Sequence, residues 1–171
     1  MSINSKLINF DIESREEMLQ GVNMLADAVS VTMGPLGMNV VIESPGNHPI
    51  VTKDGVTVAK SIAIKDKFKN LGIDIVKESA SRTADTAGDG TTTATVIANA
   101  IFTEGVKMLA AGHSSRGLIS GIKKCAKIVS SEVTKSSRKV EGENEILQVA
   151  TISANGEESI GKIITDAMNK L

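Results

Sequence analysis

The chain has 171 residues, of which 41% are hydrophobic and 23% charged, and 19 Lys and Arg against 20 Asp and Glu leave a net charge of −1. At about 100 to 200 residues per domain this is one domain, or one domain and the start of another, and the composition excludes a disordered chain and a basic surface built to capture nucleic acid. With no Trp, no Tyr and only Phe10, Phe68 and Phe102, base stacking is nearly excluded too, and the core has to be made from Ala, Val, Ile, Leu and seven Met.

Residues 1–9 carry a single Lys6 and no apolar run, and no stretch approaches the roughly 18 apolar residues of a membrane span. The expected location is therefore the cytoplasm, with no membrane partner. In residues 12–31 the apolar positions Met18, Val22, Leu25, Ala26 and Val29 recur at helical spacing, and Ser14 with Glu17 has the form of a capping box. Gly34 and Pro35 then supply a C-cap and a stop. Residues 40–42 and 50–52 read as two strands joined by a turn around Pro45, Gly46 and Asn47, a hairpin too small to stand alone.

Three longer helical patterns follow, over residues 68–86, 92–109 and 115–136. In the first, Leu71, Ile75, Val76 and Ala80 line one face; the second is apolar on most sides and is expected in the middle of a bundle. Residues 130–145 turn polar, with Lys135, Arg138 and Lys139 before Glu141, Glu143 and Glu145, and this shift marks a domain boundary. Residues 146–153 and 157–171 open a second unit. Cys125 is the lone cysteine, which excludes an internal disulfide and a Cys-cluster zinc site and reads as a buried thiol. His48 and His113 have no ligand at metal spacing and read as surface residues. Lys123, Lys124, Lys127 and Lys135 read as a solvated face.

Chemistry concentrates in residues 87–96, AGDGTTTATV, between two helices. Gly88 and Gly90 permit positive φ and close approach of a ligand, while Thr91, Thr92 and Thr93 place hydroxyls and free N–H groups at a helix N-terminus, which attracts phosphate. Asp89 repels phosphate directly but suits a Mg²⁺ bridging to it. The alternative is a tight turn with a Thr cap. Lys53, Asp54 and Gly55 again set a carboxylate before a glycine, fit to hold a cation or orient a water, or simply to turn the chain into the next helix. Thr32, Met33, Gly34 and Pro35 add a third glycine-containing turn. Residues 156–163, GEESIGKI, imitate a P-loop but put Ile163 where a hydroxyl is needed and Glu157 and Glu158 where phosphates would go, so they read as a turn and a helix start.

Taken together, the stretches GVNMLADAVSVTMGPLGMNVV, VTKDGVTVAK, AGDGTTTATVIANAI, TEGVKMLAAG and ATISANGEESIGKIITDAM resemble the N-terminal part of a group I chaperonin over nearly the whole chain. The resemblance implies a mainly α fold: the helical bundle of an equatorial domain with a small β-hairpin over residues 1–136, and over 137–171 the start of an α+β intermediate domain. It implies an ATP site with Thr32, Met33, Gly34, Pro35 and Lys53 against the nucleotide, Asp89, Gly90, Thr91, Thr92 and Thr93 around Mg²⁺ and the phosphates, Asp89 as metal ligand and Asp54 as the catalytic carboxylate, with K⁺ as a second candidate ion. The implied activity is that of a protein-folding ATPase of the isomerase class, and the implied partners are further subunits of a homo-oligomeric ring or a full-length chaperonin. Co-chaperonin and unfolded clients belong to a complete member. Against the family pattern, Leu36 and Met38 stand where basic residues are usual, Ser61, Ala63, Lys65 and Lys69 interrupt a usually acidic run, and His113, Ser114 and Ser115 replace an Asn-Pro helix start. The family's apical domain and C-terminal equatorial half are absent from these 171 residues, so the expectation is a fragment or truncated product without folding activity of its own, or a non-catalytic protein that co-assembles with complete rings.

Overall fold

The structure, a computed structural model, describes residues 8, 12–44, 46 and 48–170; Pro45 and Asn47 of the expected turn and Leu171 lie outside the described residues. The order is α1 (Ile12–Ser30), β1 (Val40–Ile42), β2 (Ile50–Thr52), α2 (Gly55–Ser61), α3 (Lys67–Ala87), α4 (Thr91–Ala110), α5 (Ser115–Ser136), α6 (Glu143–Ser153) and α7 (Glu158–Met168). The fold is mainly helical with one two-stranded antiparallel sheet, in register Val40 to Thr52, Val41 to Val51 and Ile42 to Ile50. It divides into two compact units, Met1–His113 and Ser114–Leu171.

The first unit is organised around α1. Val22, Leu25 and Val29 of α1, Val58 and Ala59 of α2, and Ile73 and Val76 of α3 form its buried core, with Val40, Ile42, Ala98 and Phe102 packed against it. Two glycines set the crossing of α1 and α3. A β-carbon on Gly21 would lie 1.9 Å from the Lys69 carbonyl oxygen, and one on Gly72 would lie 2.2 Å from that of Met18. The helices therefore touch backbone to backbone, and any side chain at either position would push them apart.

That crossing also fixes which face of α3 is inside. Gly72, Ile73, Val76 and Ala80 are buried, whereas Leu71 and Ile75 of the expected face are 46% and 50% exposed. Periodicity names a stripe; the close approach at Gly72 rotates it. The expectation for α4 is corrected further: only Thr91 and Thr95 are buried, and Ile97, Ile101 and Met108 are exposed. Helices α1, α2 and α3 cover one side of α4, and its composition reports apolarity without reporting what covers it. Between α1, α3 and α4 lies a cavity of about 300 Å³ lined by Met18, Val22, Ile75, Ala98, Ile101 and Phe102 among others. Ser79 is the single polar side chain in its lining, so it lacks the convergent polar groups that a nucleotide needs.

Helix ends follow local chemistry. Asp66 caps α3 by accepting from the N–H groups of Phe68 (3.0 Å) and Lys69 (3.1 Å), and Gly88, at φ 74°, closes it with its N–H on the Ala84 carbonyl. At α1 the expected signals give way to others. Ser14 lies inside the first turn and is buried, and among the described residues neither its Oγ nor Glu17 Oε2 has a hydrogen-bond partner, so no capping box forms. Thr32 rather than Gly34 ends the helix, its N–H and Oγ1 both donating to the Val29 carbonyl at 3.1 and 2.7 Å.

In the second unit, α6 and α7 pack through Gly161, where a β-carbon would lie 2.3 Å from Thr151 Oγ1. The turn between them carries Asn155 (φ 55°) and Gly156 (φ 91°). Helix α5 has no buried residue, and Cys125 on it is exposed, correcting the expectation of a buried thiol. Its start is loose: Ser114 Oγ accepts from the Gly117 N–H at 3.4 Å. His48 and His113 are exposed. Among the described residues no helix is long and apolar enough to cross a membrane.

Candidate functional site

Three segments meet where α2 begins. Gly55, the first residue of α2, is buried, and a β-carbon there would lie 2.1 Å from Thr92 Oγ1, 3.2 Å from Thr32 Oγ1 and 3.2 Å from Val29 Cγ1. The end of α1, the start of α2 and the start of α4 therefore converge on one backbone position. In the Lys53, Asp54 and Gly55 segment the expected chemistry falls on Asp54, but it is the lack of a side chain at Gly55 that allows the approach.

Asp54 stands beside this point and caps α2. Its Oδ1 accepts from the Val56 N–H at 3.2 Å, and its Oδ2 accepts from the Thr57 N–H at 3.0 Å and the Thr57 hydroxyl at 2.6 Å. The Asp54 N–H in turn donates to Thr52 Oγ1 at 3.0 Å, tying the cap to the end of β2. Partial burial pushes the Asp54 pKa up, but the Thr57 hydroxyl, the backbone N–H groups of Thr57 and Val56, and the charge of Lys60 outweigh it and hold the carboxyl below its ordinary value. A carboxylate has about four lone-pair sites. Three are taken, so Asp54 stays ionised at neutral pH with one acceptor position on Oδ1 left for an incoming donor. Thr57 was missed from the sequence, although an Asp followed three residues later by Thr is a readable capping pattern.

The start of α4 is the opposite case. Its N-cap is Gly90, at φ 89°, and no side chain caps it. The N–H of Ala94 reaches the Gly90 carbonyl at 2.8 Å, which leaves the N–H groups of Thr91, Thr92 and Thr93 outside the helical ladder. Such an end, with the positive pole of a 20-residue helix behind it, favours an anion. The side chain of Thr91 is buried, Thr92 is half-buried against Gly55, and Thr93 is exposed. Thr95, one turn on, is buried and donates to the Thr91 carbonyl at 2.9 Å.

Asp89 sits between the positive-φ glycines 88 and 90, exposed, with Oδ1 accepting from the Gly90 N–H at 2.6 Å. Among the described residues no three His, Cys, Asp or Glu cluster into a metal cage. One exposed carboxylate beside an open helix start suits Mg²⁺, which keeps most of its ligands as waters and phosphate oxygens. The donor set thus fits an ion brought in with a phosphate ligand.

The remaining predicted residues are placed less tightly. Lys53 is exposed at the end of β2. Met33, Gly34 and Pro35 are exposed in a loop closed by the Gly37 N–H on the Gly34 carbonyl (3.0 Å) and the Met38 N–H on the Val31 carbonyl (2.7 Å), and no hydrogen bond among the described residues joins them to α2 or α4. That loop depends on Gly37, where a β-carbon would lie 2.3 Å from the Thr32 carbonyl oxygen. The P-loop imitation is disarmed in the structure as in the sequence, since the Lys162 ammonium lies 2.9 Å from Glu158.

Residues 25–171 match the TCP-1/cpn60 chaperonin family. Among solved structures, the chaperonin gp146 of bacteriophage EL, crystallised in the presence of ATP-BeFx, aligns at 30% identity and TM-score 0.71, covering 90% of this chain and 27% of that one. A second crystal form of the same protein aligns at 28% identity and TM-score 0.72. A group III chaperonin in the open state aligns at 25% identity and TM-score 0.74, covering 92% of this chain and 32% of that one. The chain thus spans about a quarter to a third of the length of the chaperonins it matches.

Proposed function

Because the chain belongs to the TCP-1/cpn60 chaperonin family, we propose that residues 1–136 are the N-terminal part of an equatorial domain that binds Mg·ATP at the start of α4, and residues 137–171 the first segment of an intermediate domain. The whole to which they belong is an ATP-driven protein-folding ring, of the isomerase class and cytoplasmic. The motifs of the sequence favour group I, while the structures compared above include a phage and a group III chaperonin. The observation that carries the nucleotide reading is the convergence at Gly55, which brings an ionised Asp54 beside the one helix start in that cluster left uncapped.

In this reading the N–H groups of Thr91, Thr92 and Thr93 receive phosphate oxygens, and Asp89 holds the Mg²⁺. When bound, the ion offsets phosphate charge. Thr32, Met33, Gly34 and Pro35 flank the nucleotide and Lys53 adds a positive charge beside it. Asp54, with one free acceptor position and a lowered pKa, orients a water near the terminal phosphate rather than storing a proton. Calorimetric titration of ATP with Mg²⁺ into the wild type and Asp89→Ala tests the site, with K⁺ varied in the same series. The expected result is at least about tenfold weaker binding in the variant; equal affinity overturns the assignment of Asp89.

A second reading is favoured by the hairpin. Strands β1 and β2 pair only with each other among the described residues, and Val41 and Val51 are 67% and 61% exposed. Such a pair suits addition to strands of another subunit, and the chain then co-assembles with full-length rings and modulates them without turnover of its own. Co-elution with rings that is lost when residues 40–52 are deleted, in a chain that hydrolyses no ATP, selects this reading.

A further inference from the structure

Helix α2 is only seven residues long, yet it carries Asp54 at its head, so whatever fixes α2 fixes that carboxylate. Isolated helices of this length do not hold themselves. Its head is held by the contact of Gly55 with Thr32 and Thr92. Its tail is held by one face of α3. The Lys77 ammonium donates to the Ile62 carbonyl, the C-cap position of α2, and lies 3.4 Å from the Lys60 carbonyl oxygen. Two turns earlier on the same face, Asn70 Oδ1 accepts from the Ile64 N–H at 3.1 Å, and Asn70 Nδ2 is itself fixed by Asp74 Oδ2 at 2.8 Å. Ile73, fully buried, lies between the two anchors. A cation on the last carbonyls of a helix satisfies acceptors that have no partner within it.

We infer that Lys77 is a positioning residue: by clamping the tail of α2 against α3 it sets where α2 presents Asp54 to the start of α4. This rests on the nucleotide reading of that site. The ammonium belongs to the middle of α3 and touches none of the residues assigned to the nucleotide, so its removal should alter turnover rather than binding.

The experiment compares the wild-type chain with Lys77→Met, which keeps the aliphatic stem, and Lys77→Arg, which keeps the charge and donors. Three quantities are read: hydrogen exchange of the α2 amides without nucleotide, ATP affinity, and the rate of hydrolysis per bound ATP. The expected result for Lys77→Met is faster exchange confined to α2 and the segment 62–64, affinity within about twofold, and hydrolysis slower by about tenfold or more, since small misplacements of reacting groups are costly. Lys77→Arg restores both. Unchanged α2 exchange, or exchange raised equally in α1 and α3, overturns the inference, as does altered α2 exchange with an unchanged rate. If the wild type hydrolyses no ATP, the exchange pattern and its rescue by Arg alone decide whether the clamp exists, and if it also binds none the nucleotide reading fails.

Discussion

Gly55 and Thr92 approach more closely than any residue with a side chain at position 55 would allow, a β-carbon there falling 2.1 Å from Thr92 Oγ1. The hydroxyl of Thr92 can rotate, but Thr32 Oγ1 and Val29 Cγ1, each at 3.2 Å, close the other directions. Gly55→Ala should therefore cost about 1 to 3 kcal/mol of stability and weaken nucleotide binding at α4. Truncating the partner as well should recover part of the loss. A double-mutant cycle of Gly55→Ala with Thr92→Ala, read by urea unfolding, should show a coupling of about 1 kcal/mol; strict additivity would mean that the two positions do not meet.

Asp54 ties stability to pH. Its folded pKa lies below the ordinary 3.8, so the stability it contributes is fully present above the ordinary value and is lost as pH falls through the folded one. Asp54→Asn keeps a capping oxygen but cannot titrate. The stability difference between wild type and Asp54→Asn should accordingly be level at neutral pH and shrink only in the acid range below the ordinary carboxylate pKa. Asp54→Ala, which also abandons the Val56 and Thr57 N–H groups, should lose about 1 kcal/mol more. Urea titrations from neutral to acid pH measure both, and a difference that widens on acidification would contradict the direction of the shift.

The crossing of α1 and α3 makes a prediction with its own control. At Gly21 and Gly72 a β-carbon meets backbone oxygens at 1.9 and 2.2 Å, and a helix backbone cannot rotate away as a side chain can. Gly21→Ala or Gly72→Ala should destabilise by about 3 kcal/mol or more. Gly105, in the middle of α4, has nothing within 4 Å of the position a β-carbon would take. Gly105→Ala should instead stabilise by about 0.5 to 1 kcal/mol through helix propensity. Thermal unfolding distinguishes them, and a Gly21→Ala that melts with the wild type would remove the close crossing from the account.

The sequence was legible where local chemistry decides structure. Residues 68–86, 92–109 and 115–136 lie within a residue of α3, α4 and α5, because Asp66, Gly88, Gly90 and Ser114 mark their ends through caps that act over three or four residues. It was silent where packing decides. Helix α2 is two turns long, too short for periodicity to register, and the Asp-Gly signal before it fits a turn as well as a helix start. The buried face of α3 is set by how closely α1 approaches Gly72, which no spacing of apolar residues encodes. The separate site segments were each visible as glycine-containing turns, but their meeting at Gly55 is a tertiary fact. The capping box at Ser14 and Glu17 failed for a related reason: the pattern lies inside α1 rather than before it, and among the described residues neither Ser14 Oγ nor Glu17 Oε2 has a hydrogen-bond partner.

Cys125 shows the same limit, and chemistry can check it directly. A lone cysteine reads as a buried thiol, since free Cys is among the most buried residue types. In the structure it is exposed on a helix with no buried residue, with Ile122 and Val129 beside it 40% and 54% exposed. The native chain should therefore react with a disulfide dye such as Ellman's reagent at one thiol per chain, at a rate within about tenfold of the chain unfolded in urea, because thiol reactivity follows access as well as ionisation. Cys125→Ser should abolish the reaction and leave the melting temperature within about 2 °C, since exposed substitutions rarely exceed about 0.5 kcal/mol. A thiol that stays silent until the chain unfolds would mean that α5 is covered in solution, by a second copy or by a bound partner. The concentration dependence of the reaction rate would then separate the two, because dilution frees a face covered by its own kind.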